Sequence, residues 1–533
     1  MENNKLPLGL CDFTLLRDSG HIYVDKTDFV YELASNYGRF FLSRPRRFGK
    51  SLLVSTFETL FRDGLKYFDG LKIAELWKDK SYGVVKLDFS EIKDKNSIEE
   101  MSIRFDEILQ MAFEKVGFAY NANKTRSTLG QIRTWLDQQV PSSLVLLVDE
   151  YDAPLNSHLD NTEFFNQIRE MLSGFFSLVK SSDRVWRFVF ITGIAKFNKA
   201  SIFSAFNNLT DISLTPKYGT ILGYTESEIW ENFRPFVGNA AQANDMNVRA
   251  LMDAMREKYD GFCFDSKAST HVYAPWSVLS FLSEPENGLE NFWYGSAGKA
   301  SMVEKYLELH PLATDLTKFG EDIAVDMDKL RDSNDAKTLS TAVFLFQAGY
   351  LSIKRTDTDT DTAYLNFPNG EVRQAMNRLM AEQLLKSKSI VDADLSVWIK
   401  AAKAGDVIKL VEAMNGTFNQ IDYIGFPLTQ ESHVRAAAQI YLLSLKQGAT
   451  VEKHYAEGRS DLEFDAGDFH WVMEFKYAHK DKNDNPDILL VAALNQIKEK
   501  RYGEGLNIGD RKLMRVGLVF DEKERQFVRY GLV

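Results

Sequence analysis

Two short stretches of this 533-residue chain place residue types at spacings that phosphate chemistry requires. In "FFLSRPRRFGKSLLVS", residues 40–55, Gly49, Lys50 and Ser51 close a loop and lead into an apolar helical pattern. Such a loop binds phosphate because backbone N–H groups curl around its oxygens at a helix N-terminus. The lysine then reaches the outer phosphates and the serine hydroxyl joins a magnesium shell. The usual pattern, GxxxxGK(S/T), has glycine where this chain has Arg44, and Pro45 removes an N–H donor. The opening of the loop must therefore take another shape. Arg46 and Arg47 either add charge beside the phosphates or face water. Further on, "LVLLVDEYD" ends an apolar run in Asp149 and Glu150, the types that hold magnesium and activate water in a P-loop ATPase. A helix cap or a solvated strand end would use the same acids. A guanine-reading motif is incomplete, because "FNKAS" (197–201) has Ser201 where an aspartate belongs.

The second stretch pairs "GRSDLEFD" (458–465) with "VMEFKYA" (472–478). On a strand, Glu474 and Lys476 share one face while Met473, Phe475 and Tyr477 take the other; Asp461 and Glu463 likewise oppose Leu462 and Phe464. A hairpin would bring Asp461 to Glu474. Two converging carboxylates repel unless a divalent cation lies between them, and magnesium prefers such oxygen ligands. Lys476 would then position or activate the attacking water. The bare spacing also fits an amphipathic hairpin with a surface Glu–Lys pair.

The elements that must position these residues read as α/β. Through residue 235 or so, "RFFLS" (39–43), "YGVVKLDFS" (82–90), "SSLVLLVDEYD" (142–152) and "VWRFVFITGI" (185–194) alternate with helical patterns. Their continuous apolarity predicts strands buried on both faces of a doubly wound, mostly parallel sheet. From 236 to 384 the pattern is helical and then gives "TLSTAVFLFQAGYLSIKR" (338–355), a helix passing into a strand. The repeat "TDTDTDTA" (356–363) and a second strand follow, so a winged-helix-like module is expected. The repeat reads as a solvated hairpin tip; it lacks the glycine and closing glutamate of a calcium loop. Residues 385–430 read as a polar helical linker, and 431–533 as a second α/β domain of order α-β-β-α-β.

Composition agrees with this reading. Hydrophobic residues make up 44% and aromatics 13%, enough for substantial cores. The net charge of −11 excludes a wholly basic nucleic-acid coat protein but leaves room for a local basic groove. Two isolated cysteines, Cys11 and Cys263, suit a reducing compartment. "MENNKLPLGLCDFTLLRDSG" lacks a signal-peptide pattern, and no stretch of about 20 apolar residues occurs. The expectation is a soluble, cytoplasmic protein without membrane contact.

A wider resemblance follows from longer stretches. "LPLGLCDFTLLRDSGHIYVDKT" (6–27), "RPRRFGKSLL", "LVDEYDAPL" (147–155) and "FITGIAKFNKASIFSAFNNLTDIS" (190–213) resemble a bacterial AAA-ATPase-like family with an arginine-rich P-loop. "YDGF" (259–262), "PWSVLSFL", "FQAGYLSI" and "FPNGEVR" (367–373) continue the match, departing at Ala274 where the family usually has Asn. The resemblance implies ATP bound by Arg46, Arg47, Phe48, Gly49, Lys50, Ser51, Leu52, Asp149 and Thr192. Within that set it implies Ser51 and Asp149 at magnesium and Thr192 at a sensor position, with Glu150 as base; a buried threonine bonded to backbone is the other reading of Thr192. "VEKHYAEGRSDL" (451–462), "VMEFKYA" and "ALNQIKEKRY" (493–502) resemble a PD-(D/E)XK nuclease domain. That implies Asp461 and Glu474 as ligands of magnesium or manganese, Glu452 as a further metal-side acid and Lys476 as catalytic. Glu431, Arg459 and Gln496 are accessory. The function implied is an ATPase with a metal-dependent nuclease acting on DNA or RNA under nucleotide control, with homo-oligomers left open. The alternative is a nucleotide-controlled interaction or nucleic-acid-binding protein whose nuclease fold does not cut.

Overall fold

The computed structural model describes residues 5–196, 202, 206, 208–293, 301–310, 322–331, 340–384, 390–421, 423, 426–443, 449–451, 454–455, 458–504 and 508–533. The chain forms two compact units, Met1–Leu309 with Asp322–Val372, and His310–Glu321 with Arg373–Val533. No helix among the described residues is long and apolar enough to cross a membrane.

The first unit is organised by a parallel sheet. Strand β1 (Arg39–Ser43) enters the phosphate-loop segment, which leads into helix α1 (Lys50–Asp63). Strands β2 (Gly83–Asp88), β3 (Leu144–Asp149), β4 (Trp186–Gly193) and β5 (Thr210–Asp211) complete the order β2-β3-β4-β1-β5, with every pair parallel. All residues of β3 and β4 are buried, as their uninterrupted apolar runs require. The consequence for function is topological. Because β4 lies between β1 and β3, the carboxyl ends of these strands bring the loop, Thr192 and Asp149 to one end of the sheet.

Helices α2 (Glu226–Ala243), α3 (Val248–Tyr259) and α4 (Pro275–Ser283) then share a core with Ile22 and Val24 of the N-terminal segment. The motifs quoted from this region are fastened to one another. The Asn369 amide donates to the Asp260 carbonyl at 2.7 Å, and the Glu371 carboxylate accepts from the Ser277 hydroxyl and from the N–H groups of Phe292 and Trp293. Ala274 caps α4 without a side-chain hydrogen bond. Strands β6 (Ile323–Asp326), β7 (Ser352–Asp357) and β8 (Thr362–Asn366) form an antiparallel sheet of order β6-β8-β7. Helix Thr341–Gln347 precedes its hairpin, and Gly349, with φ 85°, makes the turn between them. The hairpin strands extend into the Thr/Asp repeat, and the Asp357 carboxylate folds the exposed tip by accepting the Asp359 N–H at 2.9 Å.

In the second unit, α5 (Ile390–Lys403), α6 (Val407–Phe418) and α7 (Glu431–Leu443) precede β9 (Ala449–Val451), β10 (Leu462–Ala466) and β11 (Phe469–Ala478). Helix α8 (Pro486–Glu499) then crosses to β12 (Lys512–Asp521), and β13 (Gln526–Leu532) follows. The sheet order is β13-β12-β11-β10-β9; β11 and β12, which flank the α8 crossover, are parallel and the other pairs antiparallel. Helices α5 and α6 occupy the span expected as linker, yet they pack into this unit. The Trp471 indole donates to the Ala402 carbonyl, the Trp398 indole donates to Thr417, and the Phe418 ring meets Phe520 and Phe527.

Candidate functional sites

The phosphate-loop segment gets its shape from Arg44. Its guanidinium is buried and donates to the carbonyls of Ser43, Ser213 and Tyr218 at 2.9, 2.7 and 3.0 Å, lying 4.3 Å from the Phe264 ring. Burial pushes its pKa down to about 9. The arginine that replaces the first glycine is therefore an anchor behind the loop. Left-handed backbone falls later, at Arg47 (φ 64°) and at Gly49 (φ 91°), where glycine is the residue without strain. Phe48 is buried against Phe262 and Phe264, so its side chain wedges the loop in place. The Arg47 guanidinium stacks 4.3 Å over Trp276.

Lys50, at the start of α1, is buried, and its ammonium donates to the carbonyls of Arg44 and Pro45, both at 3.0 Å. Burial pulls its pKa down, against the charges of Glu150 and Asp149. Burial pushes the Asp149 carboxyl up, opposed by the Ser51 hydroxyl and the Lys50 charge; Glu150 is raised by burial and lowered by Lys50. Lys50, Ser51, Asp149 and Glu150 thus share one electrostatic neighbourhood. Asp149 Oδ1 accepts the Glu150 N–H at 3.0 Å, and Glu150 has φ 48°. Strained backbone at a carboxylate of this kind is a common companion of function. The Thr192 hydroxyl is buried and has no hydrogen-bond partner, so the reading in which it bonds to backbone does not apply.

Sequence reasoning missed two supports of this site. Asp152 accepts the N–H groups of Ile194 and Ala195 at 3.1 and 2.7 Å, fixing the segment after Thr192; a third acid in "DEYD" was the available signal. Leu52 and Gly49 also line a largely apolar pocket with Ile22, Val24, Leu222 and Tyr224. Its wall includes Lys26, tied to Glu228 at 2.6 Å.

The C-terminal site is assembled across the β10–β11 hairpin. Asp461 and Glu474 are both buried, which removes the reading of a surface Glu–Lys pair. Asp461 Oδ2 accepts the Phe475 N–H at 2.8 Å, and Arg435 Nη1 of α7 lies 3.3 Å from Oδ1. Lys476 donates to Glu474 Oε1 at 2.9 Å and lies 3.5 Å from Glu431. Glu474 Oε2 is buried without a hydrogen-bond partner. Burial first, then the Asp461 charge, push the Glu474 carboxyl up to about 8. Burial also raises Glu431, while Lys476, which burial alone would lower, is raised on balance by Glu474 and Glu431. An orphaned oxygen on a repelled, buried carboxylate suits a divalent cation shared with Asp461. The residues present fit such an ion.

The remaining candidates fall elsewhere. The Gln496 amide on α8 donates to the Tyr502 hydroxyl at 3.3 Å. Glu452 lies outside the described residues; Arg459 is described only as backbone, pairing with His454. Among the described residues, the three-carboxylate cluster tight enough to wrap an ion is Asp326, Asp328 and Asp361, exposed in the first unit and bridged by Arg331.

A buried relay braces the hairpin beside Asp461. The Ser460 hydroxyl donates to Glu463 at 2.6 Å, and His470 bridges Glu463 at 3.3 Å and Asp465 at 2.6 Å. Glu463, then Asp465, hold the His470 pKa above its ordinary value against the effect of burial. The stabilisation from this imidazolium is present in full below an unfolded-state pKa of about 6.5 and is lost as pH rises through the higher folded value. The denaturation midpoint should therefore fall as pH rises above about 6.5. His470→Gln should flatten that fall; an unchanged slope in the variant would assign it to other groups.

Comparison with known proteins places a class on each site. Residues 7–203 match the family described as "Predicted AAA-ATPase", and residues 429–530 match the PD-(D/E)XK nuclease superfamily. This is the architecture that the sequence motifs implied. Among individual proteins, the chain is similar to the "Uncharacterized protein in vnfD 5'region" of Azotobacter chroococcum mcd 1, 26% identical over 540 residues and covering 99% of both chains.

Proposed function

We propose that the protein binds and hydrolyses ATP in its first unit and cleaves nucleic-acid phosphodiesters in its second. The nuclease half rests on the buried, partnerless Glu474 Oε2 beside Asp461, with Lys476 bonded to the same carboxylate. Support for the ATPase half comes from the buried Lys50, parked on two loop carbonyls next to Asp149 and Glu150. In this reading the loop N–H groups and Lys50 take the phosphates, while the apolar pocket beside Leu52 takes the base. Arg46 is half-buried and Arg47 exposed beside the loop, and Thr192 offers an unpaired hydroxyl to the terminal phosphate. Ser51 and Asp149 would hold magnesium, and Glu150 orients and deprotonates water. In the second unit Asp461 and Glu474 would hold magnesium or manganese, and Lys476 positions the attacking water. The ion, when bound, supplies positive charge for the phosphate and acidifies that water.

Nucleotide state is proposed to control cleavage. ATP can shift activity only by binding one state of the protein more tightly than another, and coupling of ordinary size changes activity about 5- to 150-fold. The test is a panel of single-stranded DNA, double-stranded DNA and RNA with magnesium or manganese, each with no nucleotide, ADP, ATP or a slowly hydrolysed analogue. Metal-dependent cleavage that changes with nucleotide, and loses that dependence in Lys50→Ala, is the expected result. Identical rates in all states would remove the control. Metal binding without cleavage of any form would favour the interaction protein instead.

A further inference from the structure

We infer that a cavity on the first unit binds one nucleotide of single-stranded nucleic acid, its base against Trp135 and its phosphates at Lys124 and Arg126. The inference deepens the nucleic-acid reading above and rests on it. The cavity, of about 630 Å³, lies between helix Thr128–Leu136 and the loop that follows helix Ile98–Glu114, and no motif of the sequence falls in it. Its volume is within the roughly 300–1,000 Å³ range of small-molecule sites.

Three observations lead to it. First, the loop is built to hold its shape. Gln131 is buried, and its amide accepts the Asn121 N–H at 3.0 Å and donates to the carbonyls of Asn121 and Arg126 at 3.1 and 3.0 Å. The Asn121 carboxamide in turn accepts the Asn123 N–H at 2.9 Å. Second, the wall is aromatic. The half-buried Trp135 and the buried Phe118 both line the cavity, and Phe113 braces them with ring centroids 6.1 and 6.3 Å away. Every base offers a π face to such a wall, and the amides of Asn123 and Gln138 offer donors and acceptors to its edge. Third, the charge is of one sign. Lys124 and Arg126 line the cavity, no acid does, and neither cation forms an ion pair among the described residues. Arg126 donates to the Thr134 hydroxyl at 2.7 Å, which holds its guanidinium beside the helix. In a chain of net charge −11, two cations left without acids suit an anion, and the phosphates on either side of a base supply it. A base stacked in a duplex cannot enter a concave site, so the strand must be single.

The experiment uses the full-length chain and a fluorescein-labelled oligothymidine without divalent metal, so that neither cleavage nor an ion at Glu474 contributes. Anisotropy gives the affinity of wild type, Trp135→Phe, Trp135→Ala and the double variant Lys124→Gln with Arg126→Gln, at several salt concentrations. Trp135→Ala should weaken binding about fivefold or more, the low end for a base–aromatic stack, and Trp135→Phe should keep most of it. The double variant should bind more weakly and lower the slope of log affinity against log salt by about 1.4, two phosphates at about 0.7 each. Both of its positions are exposed, so its urea midpoint should stay at that of wild type. Wild-type affinity in both Trp135→Ala and the double variant would overturn the inference. So would equal affinity for the duplex with oligoadenosine, or displacement of the strand by AMP at equal concentration, which would make the occupant a free nucleotide. Manganese titration of Glu474→Gln is the separate control: wild-type affinity there sinks the nuclease reading, whatever the oligothymidine result.

Discussion

Replacing Lys50 by alanine is expected to weaken magnesium-ATP binding by about a hundredfold or more. A hydrogen bond to a charged group is worth about 1.5–3 kcal/mol, and two such contacts to phosphate oxygens at the low end already give about 3 kcal/mol, a little over a hundredfold. The ammonium is available for this exchange because its present partners are two loop carbonyls, Arg44 and Pro45, which the arriving phosphates would replace. Burial lowers the Lys50 pKa, with Glu150 and Asp149 holding it up, and added phosphate charge acts in the same direction as those acids. Calorimetry of ATP binding to the variant checks the prediction, with a urea midpoint measured alongside. An unchanged affinity in a folded Lys50→Ala protein would remove ATP from this loop. Glu150→Gln is the complementary variant. It should bind ATP as wild type does and hydrolyse it about 10²- to 10⁴-fold more slowly, the range for loss of a general base.

Glu474→Gln is expected to abolish metal binding and cleavage together while leaving the protein at least as stable as before. The opposed directions follow from one cause. Glu474 is buried beside Asp461 and its carboxyl is pushed up to about 8, so on balance, even with Lys476 bonded to it, its ionised form is costly to the fold and suited to a bound metal ion. A neutral amide of the same shape removes the repulsion and the ligand at once. Loss of a directly bound oxygen should exceed the roughly 10- to 100-fold effect of losing an outer partner. Asp461→Asn should lose metal in the same way, but without the gain in stability, because its oxygens pair with Phe475 and Arg435. Lys476→Ala should keep the metal and lose rate. Manganese calorimetry, cleavage and urea midpoints on the three variants separate these outcomes. Wild-type manganese affinity in both carboxylate variants would leave the site without a metal role.

Local patterns in the sequence mark the candidate groups and their immediate setting. Gly49, Lys50 and Ser51 lie between an apolar strand and a helix, and Asp149 and Glu150 close a continuous apolar run; these are local patterns, governed by backbone periodicity and by glycine's tolerance of positive φ. The alternation in "VMEFKYA" likewise put Glu474 and Lys476 on one face, where they meet. What surrounds them depends on packing between distant segments. Helices α5 and α6 read as polar linker because the partners of their apolar positions lie far along the chain, Tyr441 against Trp398 and Phe520 and Phe527 against Phe418. Glu474 could be read as a surface residue until the packing closed both faces of the hairpin. Arg435 joined Asp461 across 26 positions of sequence, and Arg44 found the Ser213 and Tyr218 carbonyls across 169 and 174. Such partners carry no motif. A guanidinium accepts any carbonyl or carboxylate that folding presents, so its role is set by which distant segments pack beside it.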